Sequence, residues 1–308
     1  MRDFCRISPW ATRQRAGLVV FLYVGKGFLI LFADRSTRTC SRPSRMPRRR
    51  LRIGAVSYLN SRPLVEGLSD HFPDWEVIWD VPSRLADRLA VGQLDVGLIP
   101  SIEWLQNPHY LRVSDACIGC RGPVLSVKLL SRVPIARIRT LALDEGSRTS
   151  AFLVQILLWE RFGIRPERIR LPLDCQPDAC EADALLVIGD RAIRPAQGDY
   201  LETWDLGQQW WEWSGLPFVF AVWAARPGVP LTDLASGLVI ARDAGLKNLE
   251  RIVSRHADAT GLSRQQALCY LRDNLHFFFG AEQQRGLQRF AQCVSDFTAA
   301  IAKEGLRR

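Results

Sequence analysis

At 308 residues and 47% hydrophobic content, the chain is long enough for one large or two modest domains with real cores, and its composition excludes the fibrous and intrinsically disordered classes. Its net charge of +9 belongs to one end: residues 1–50 hold twelve Lys/Arg against two Asp/Glu, whereas residues 51–308 hold 29 against 30. The body of the chain is electrically balanced, which removes the main reason to expect a nucleic-acid partner.

The first 50 residues read as an extension. Residues 17–33 are apolar but interrupted by Lys26, too short for a membrane span, and residues 34–50 are Arg/Ser/Pro-rich and expected to be disordered. A basic start followed by an apolar stretch suits a secretory signal, but Leu31 breaks the small-x-small pattern before Ala33. Met46, just ahead of the first strand, is the expected start; a membrane-proximal segment is the alternative reading. Among eight cysteines, Cys117 and Cys120 form a lone CxxC with no second pair or histidine at ligand spacing. Free thiols of a cytoplasmic protein are expected, and no metal.

From residue 52 a pattern appears and then recurs. The first unit has a strand at 52–56, a polar loop (Ser57, Tyr58, Asn60, Ser61, Arg62) and a helix opening at about Pro63, where the missing N–H is harmless. A strand at 75–79, an amphipathic helix at 83–91 and a buried strand ending at Ser101 complete it. The second unit has a strand at 140–143, a polar loop at 144–150, an apolar helix at 151–162, a strand at 169–173 and a buried strand ending at Gly189 and Asp190. Helices alternating with parallel strands imply a doubly wound lobe, so two copies imply two lobes with a cleft.

The strand-like runs 124–131 and 218–225 fall where the chain passes between lobes and read as paired crossover segments of a hinge. The Trp-rich stretch 204–213 reads as an amphipathic helix. Further helices are expected at 232–241, 244–255 (Asp243 as N-cap), 263–271 (Ser263 and Gln266 as a capping box) and 282–302, packing back on the first lobe. Lobe 1 is thus 51–128 with 218–308, and lobe 2 is 129–217.

Strand ends in such sheets hold ligands. The loop Ser57 to Ser61 suits a small anion, and also suits plain capping. Ser147, Arg148, Thr149 and Ser150 before an apolar helix offer amides and hydroxyls to a carboxylate or phosphate; a well-capped helix is the alternative. Ser101 and Ser126 are single hydroxyls that would face the same cleft, and Asp190 after Gly189 is the one well-placed carboxylate. None of the four histidines, His71, His109, His256 and His276, lies at a strand end of the cleft, which leaves a Ser-His-Asp triad or histidine metal site without support, and no glycine-rich phosphate loop is present. Chemistry here would rest on amides, hydroxyls and an asparagine.

The strings RIGAVSYLNSRPL (52–64), DVGLIPS (95–101), GPVLSV (122–127), DEGSRTS (144–150), IGD (188–190) and WSGLPFVFAVW (213–223) resemble the chorismate dehydratases of the futalosine route to menaquinone. The resemblance runs from about Arg52 to the C-terminus; Cys120 and Leu125 depart from it, standing where other small or charged residues are expected. It implies the type II periplasmic-binding-protein fold and cofactor-free conversion of chorismate to 3-[(1-carboxyvinyl)oxy]benzoate and water. It further implies that Asn60 and Ser126 contact the substrate near the reacting centre and that Ser147, Thr149 and Ser150 receive a carboxylate; because no titratable base is evident at the cleft, the substrate's own enolpyruvyl carboxylate, oriented by Asn60, is expected to take the proton. Ser57, Tyr58, Ser101, Arg148, Gly189 and Asp190 complete the expected binding set. Chorismate is the expected partner, with no stable membrane partner and a homodimer left open. A non-catalytic solute-binding protein and the related dihydroxynaphthoate synthase share the fold and are the rival readings.

Overall fold

Two mixed sheets are built from these apolar runs in the computed structural model, which describes residues 23–24, 27–28, 50–194 and 198–305. Met1–Arg48 and Arg49–Arg308 are separate compact units. In the first, the described dipeptides Tyr23–Val24 and Gly27–Phe28 pair antiparallel. The expectations of a start at Met46, an interrupted apolar stretch and a disordered basic run otherwise lie outside the described residues.

The second unit opens with β1 (Leu51–Val56), a 3-10 turn (Leu59–Leu64) and the short α1 (Leu68–His71). β2 (Trp75–Asp80), α2 (Pro82–Ala90) and β3 (Val96–Pro100) complete the first repeat, with β1 parallel to both other strands. After α3 (Ser101–Gln106) and β4 (Leu111–Cys120) the chain crosses and enters the second sheet as β5 (Val127–Ser131). The second repeat is β6 (Thr140–Asp144), α4 (Thr149–Phe162), β7 (Glu167–Leu171) and β8 (Ala184–Ile188), with β6 parallel to both β7 and β8. α5 (Asp190–Ile193), β9 (Glu202–Asp205) and α6 (Leu206–Ser214) lead back to β10 (Phe218–Ala225). Then come α7 (Thr232–Lys247), α8 (Leu249–His256), α9 (Arg264–Cys269), a π-turn (Tyr270–Asn274), β11 (His276–Phe278) and α10 (Ala281–Gly305).

The sheet orders are β11-β4-β10-β3-β1-β2 and β9-β5-β8-β6-β7. Each parallel trio is extended by an antiparallel strand, β10 beside β3 and β5 beside β8, and each of these is the first strand after a crossover. Both lobes therefore depend on a strand that arrives only after the chain has left the other sheet. The runs expected to be hinge segments are largely these strands: all eight residues of β10 are buried, and β5 is hydrogen-bonded on both sides. An extended run paired on both edges cannot bend, so the crossings fall to residues 121–126 and 215–217. There Gly122 (φ 90°) and Gly215 (φ 68°) adopt left-handed backbone, as does Leu125 (φ 64°).

Other departures have local causes. The expected helix at Pro63 begins earlier, at Leu59, because the Ser61 hydroxyl donates to the carbonyls of Val56 and Tyr58 and pulls the loop into a 3-10 turn. The stretch 204–213 divides at Asp205, whose carboxylate accepts from the Gln208 amide and caps α6, leaving Trp204 in β9. Asp243 is no cap: α7 runs through it to Lys247, and its carboxylate pairs with Arg242. The capping box at Ser263 and Gln266 is present. α7 lies against β4 and the 3-10 turn, whereas α10 spans β10 and α4, with the Phe297 ring 5.6 Å from Trp159. One hydrophobic cluster accordingly runs through both sheets, from Ile53 through Leu157 to Phe290.

Six described cysteines are free thiols. Cys117 and Cys120 both lie in β4, three residues apart and hence on opposite faces, and burial pushes the Cys117 thiol up to about 12. Among the described residues no cluster of His, Cys, Asp or Glu could hold a metal ion, and no helix is long and apolar enough to cross a membrane.

Gly245 of α7 passes so close to the 3-10 turn that a Cβ would meet the Pro63 carbonyl oxygen at 2.0 Å. Because that atom is backbone, Gly245→Ala is expected to destabilise the fold by about 1–3 kcal/mol or more, read as a lower urea midpoint.

Candidate active site

The carboxyl ends of the parallel strands in both sheets face one another across a small cavity that is partly open to solvent. β1 contributes Val56 and, through the turn after it, Tyr58 and Asn60. The end of β3 contributes Pro100, and the end of β8 Ile188 and Gly189. Ser147, Thr149 and Ser150 bring the N-terminus of α4 to the wall, and the crossover loop brings Val124 and Ser126. Phe220 and Ala221 of β10 add apolar surface.

Seven of the eleven expected site residues thus share one cavity: Tyr58, Asn60, Ser126, Ser147, Thr149, Ser150 and Gly189. The Ser147 hydroxyl accepts from the Ser150 amide at 3.2 Å, capping α4. Thr149 Oγ1 donates to the Phe220 carbonyl at 3.1 Å and accepts from the Ile102 amide at 3.3 Å. The Asn60 Oδ1 is buried and makes no hydrogen bond of good geometry among the described residues.

The other four lie behind the wall. Ser101 is fully buried, its hydroxyl donating to the Val219 carbonyl at 2.7 Å and standing 3.4 Å from Thr149 Oγ1. Arg148 turns away to pair with Asp87 at 2.7 Å and Glu103 at 3.0 Å. Ser57 is held by its backbone, its amide on the Asp80 carbonyl and its carbonyl accepting from Arg62. Asp190 accepts the Leu59 amide at 3.1 Å, joining α5 to the 3-10 turn.

Electrostatically the cavity is quiet. Tyr58 is the one titratable side chain in the described wall, and burial, reinforced by the charge of Asp144, pushes its phenol well above the ordinary range, so it stays protonated. Its ring fills a slot in the opposite lobe: a Cβ at Gly189 would come within 2.6 Å of the ring, and one at Gly146 within 3.1 Å of the hydroxyl. Gly189 is also held at φ 64°, ψ −147°, a region almost confined to glycine.

With this geometry the comparisons with known proteins agree. The family model described as menaquinone biosynthesis matches residues 51–296. The chain belongs to this family. Chorismate dehydratase of Thermus thermophilus is 29% identical over 261 residues, covering 79% of this chain and 94% of that protein. Among solved structures, an Archaeoglobus fulgidus protein superposes with a TM-score of 0.69 at 14% identity (82% and 100% of the two chains). The periplasmic aliphatic sulphonate binding protein of Escherichia coli gives 0.56 at 17% identity (81% and 87%). These likenesses establish a periplasmic-binding-protein-like fold for this member of the menaquinone family, in keeping with the resemblance read from its motifs.

Two carboxylates that shape the site were not among the residues expected there. Asp144, at the end of β6, is almost wholly buried; it pairs with Arg191 at 2.6 Å and accepts the amides of Gly146 (2.9 Å) and Ile188 (3.2 Å), fixing two strand ends at once. Asp205 accepts from Val124 (2.9 Å) and Leu125 (2.6 Å) and so clamps the loop that carries Ser126. The signal for Asp205 was its place just before a helix start, hidden by reading 204–213 as one helix.

Gly189→Ala is expected to destabilise the protein by about 1–3 kcal/mol and to expel the Tyr58 ring, seen as a changed near-ultraviolet circular dichroism spectrum. Asp190 yields a pH signature. Burial raises its carboxyl above the ordinary range, against the Leu59 amide and the charges of Arg62 and Arg194. The folded state therefore binds the proton more tightly than the unfolded chain. Stability relative to Asp190→Asn should fall as pH rises from about 4 through the raised value and be level above it. Urea titrations across pH would read this difference, and a flat profile would refute it.

Proposed function

We propose that the chain is a chorismate dehydratase, a hydro-lyase converting chorismate to 3-[(1-carboxyvinyl)oxy]benzoate and water. The observation that carries the reading is the cavity wall itself: a helix N-terminus, hydroxyls and an amide among apolar surfaces, with no carboxylate or imidazole among the described residues that line it. Such a site can bind a dianion and steady developing charge, but it has no strong base of its own.

Chorismate suits those means. Its C3–H is vinylogous to the ring carboxylate, so removal of that proton sends the C–H electron pair into the ring as a delocalised anion. Loss of the C4 hydroxyl completes the aromatic ring, and the abstracted proton leaves with hydroxide as water. The enolpyruvyl carboxylate of the substrate serves as base, and Asn60 and Ser126 sit beside the reacting carbons and orient it. At the N-terminus of α4 the hydroxyls of Ser147 and Ser150 and the amide of Thr149 receive the ring carboxylate, where charge builds as C3 is deprotonated. Preorganised donors aimed at developing charge are usually the largest catalytic contribution, and a helix N-terminus favours an anion. Arg148, Ser101 and Asp190 support this wall from behind. The two lobes of the enzyme are 51–128 with 218–308, and 129–217, and its place is the cytoplasm.

The test is to incubate the purified protein with chorismate and follow an aromatic product lighter by one water, by absorbance and mass. Asn60→Ala should lower kcat by about 10²–10³-fold. Chorismate binding without turnover would instead favour a solute-binding role, and full activity in Asn60→Ala would remove that residue from the mechanism.

A further inference from the structure

Behind the Asn60 and Ser126 wall lies Tyr270, a residue outside both the cavity lining and the expected site. It is 1% exposed, and among the described residues neither its hydroxyl nor the Asn60 Oδ1 makes a hydrogen bond of good geometry. Its phenol group faces the side chains of Ser126 and Asn60. Two buried polar atoms this close, neither in a well-formed hydrogen bond, would each gain by pairing.

The backbone around Tyr270 is unusual as well. It begins a π-turn, Tyr270–Asn274, a conformation rare in helices and frequent near functional sites. The far end of that turn is fastened to the crossover loop, because Asn274 Nδ2 donates to the Pro123 carbonyl at 3.1 Å. The same loop is held on its other side by Asp205 and carries Leu125 at φ 64°. Ser126 is thus pinned from two directions, and Tyr270 is delivered to it by a turn that sacrifices regular helical pairing.

We propose that Tyr270 is a positioning residue whose hydroxyl donates to Asn60 Oδ1 once the cavity is occupied, fixing the amide flip so that the Asn60 NH₂ faces the substrate. An asparagine side chain presents a donor on one side and an acceptor on the other, and a buried phenol that stays protonated is a donor suited to claim the acceptor side. The Ser126 hydroxyl, beside both, remains available to the cavity. This inference rests on the dehydratase reading, in which Asn60 orients the substrate's base.

The experiment is steady-state kinetics of Tyr270→Phe with chorismate, paired with thermal melting. A purely structural hydroxyl would leave kcat alone. A positioning hydroxyl should lower kcat by about tenfold or more with KM within about threefold, while the melting midpoint stays equal or rises because an unpaired buried polar group has gone. In an Asn60→Ala background the same substitution should change kcat by less than about twofold, since the partner is absent. Wild-type kcat in Tyr270→Phe, or an undiminished loss on the Asn60→Ala background, would overturn the inference while the dehydratase reading stood. Wild-type protein that failed to turn over chorismate would overturn that reading, and this inference with it.

Discussion

The Thr149 hydroxyl fastens the two lobes where the ligand would lie. It begins α4 of the five-stranded lobe, yet it gives its hydrogen to Phe220 of β10 and takes one from Ile102 of α3, both in the other lobe. Around it, Arg148 pairs with Asp87 and Glu103, the Ser83 amide donates to the Gly146 carbonyl, and Asp190 accepts the Leu59 amide. Each neutral bond of this kind contributes on the order of 1 kcal/mol net. A handful of them ties the lobes together across the cavity, although no described strand of one sheet pairs with a strand of the other. The α10 helix, lying on β10 and α4 together, keeps the halves in register when those bonds break.

Charge and chemistry are kept in separate layers. The groups that line the cavity are neutral, while the ionised ones, Asp144 with Arg191 and Asp205 among backbone amides, stand one layer out and hold loops rather than ligand. Charges inside the wall would compete with a dianion or need desolvation of their own. Placed outside it, they lend rigidity: Asp205 keeps Leu125 in a conformation that a residue with a Cβ enters only under strain, and Ser126 is thereby aimed.

Much of this was legible in the residues. The alternation of apolar runs with polar loops at Val56, Ile188 and the start of α4 marked strand ends, and those ends are where the cavity lies. The hydroxyls clustered before an apolar helix do stand at the start of α4, where Ser147 accepts the Ser150 amide and lines the cavity. What sequence spacing could not convey is which partner a polar group takes across the chain. Arg148 has the look of an anion ligand until Asp87 and Glu103, 61 and 45 residues earlier, are found against it. β4 escaped notice because its polar first half, Leu111 to Asp115, breaks the apolar pattern, and β9 because Trp204 shares the rhythm of the helix that follows. Tyr270 gave no local sign, its significance coming from a π-turn that periodicity does not encode.

The Tyr58 ring, carried by one lobe, is seated over Gly189 of the other, so the two halves meet there through shape as well as through hydrogen bonds. Shape at positions 58, 146 and 189 then varies as one unit, for a larger residue at either glycine leaves the ring nowhere to sit.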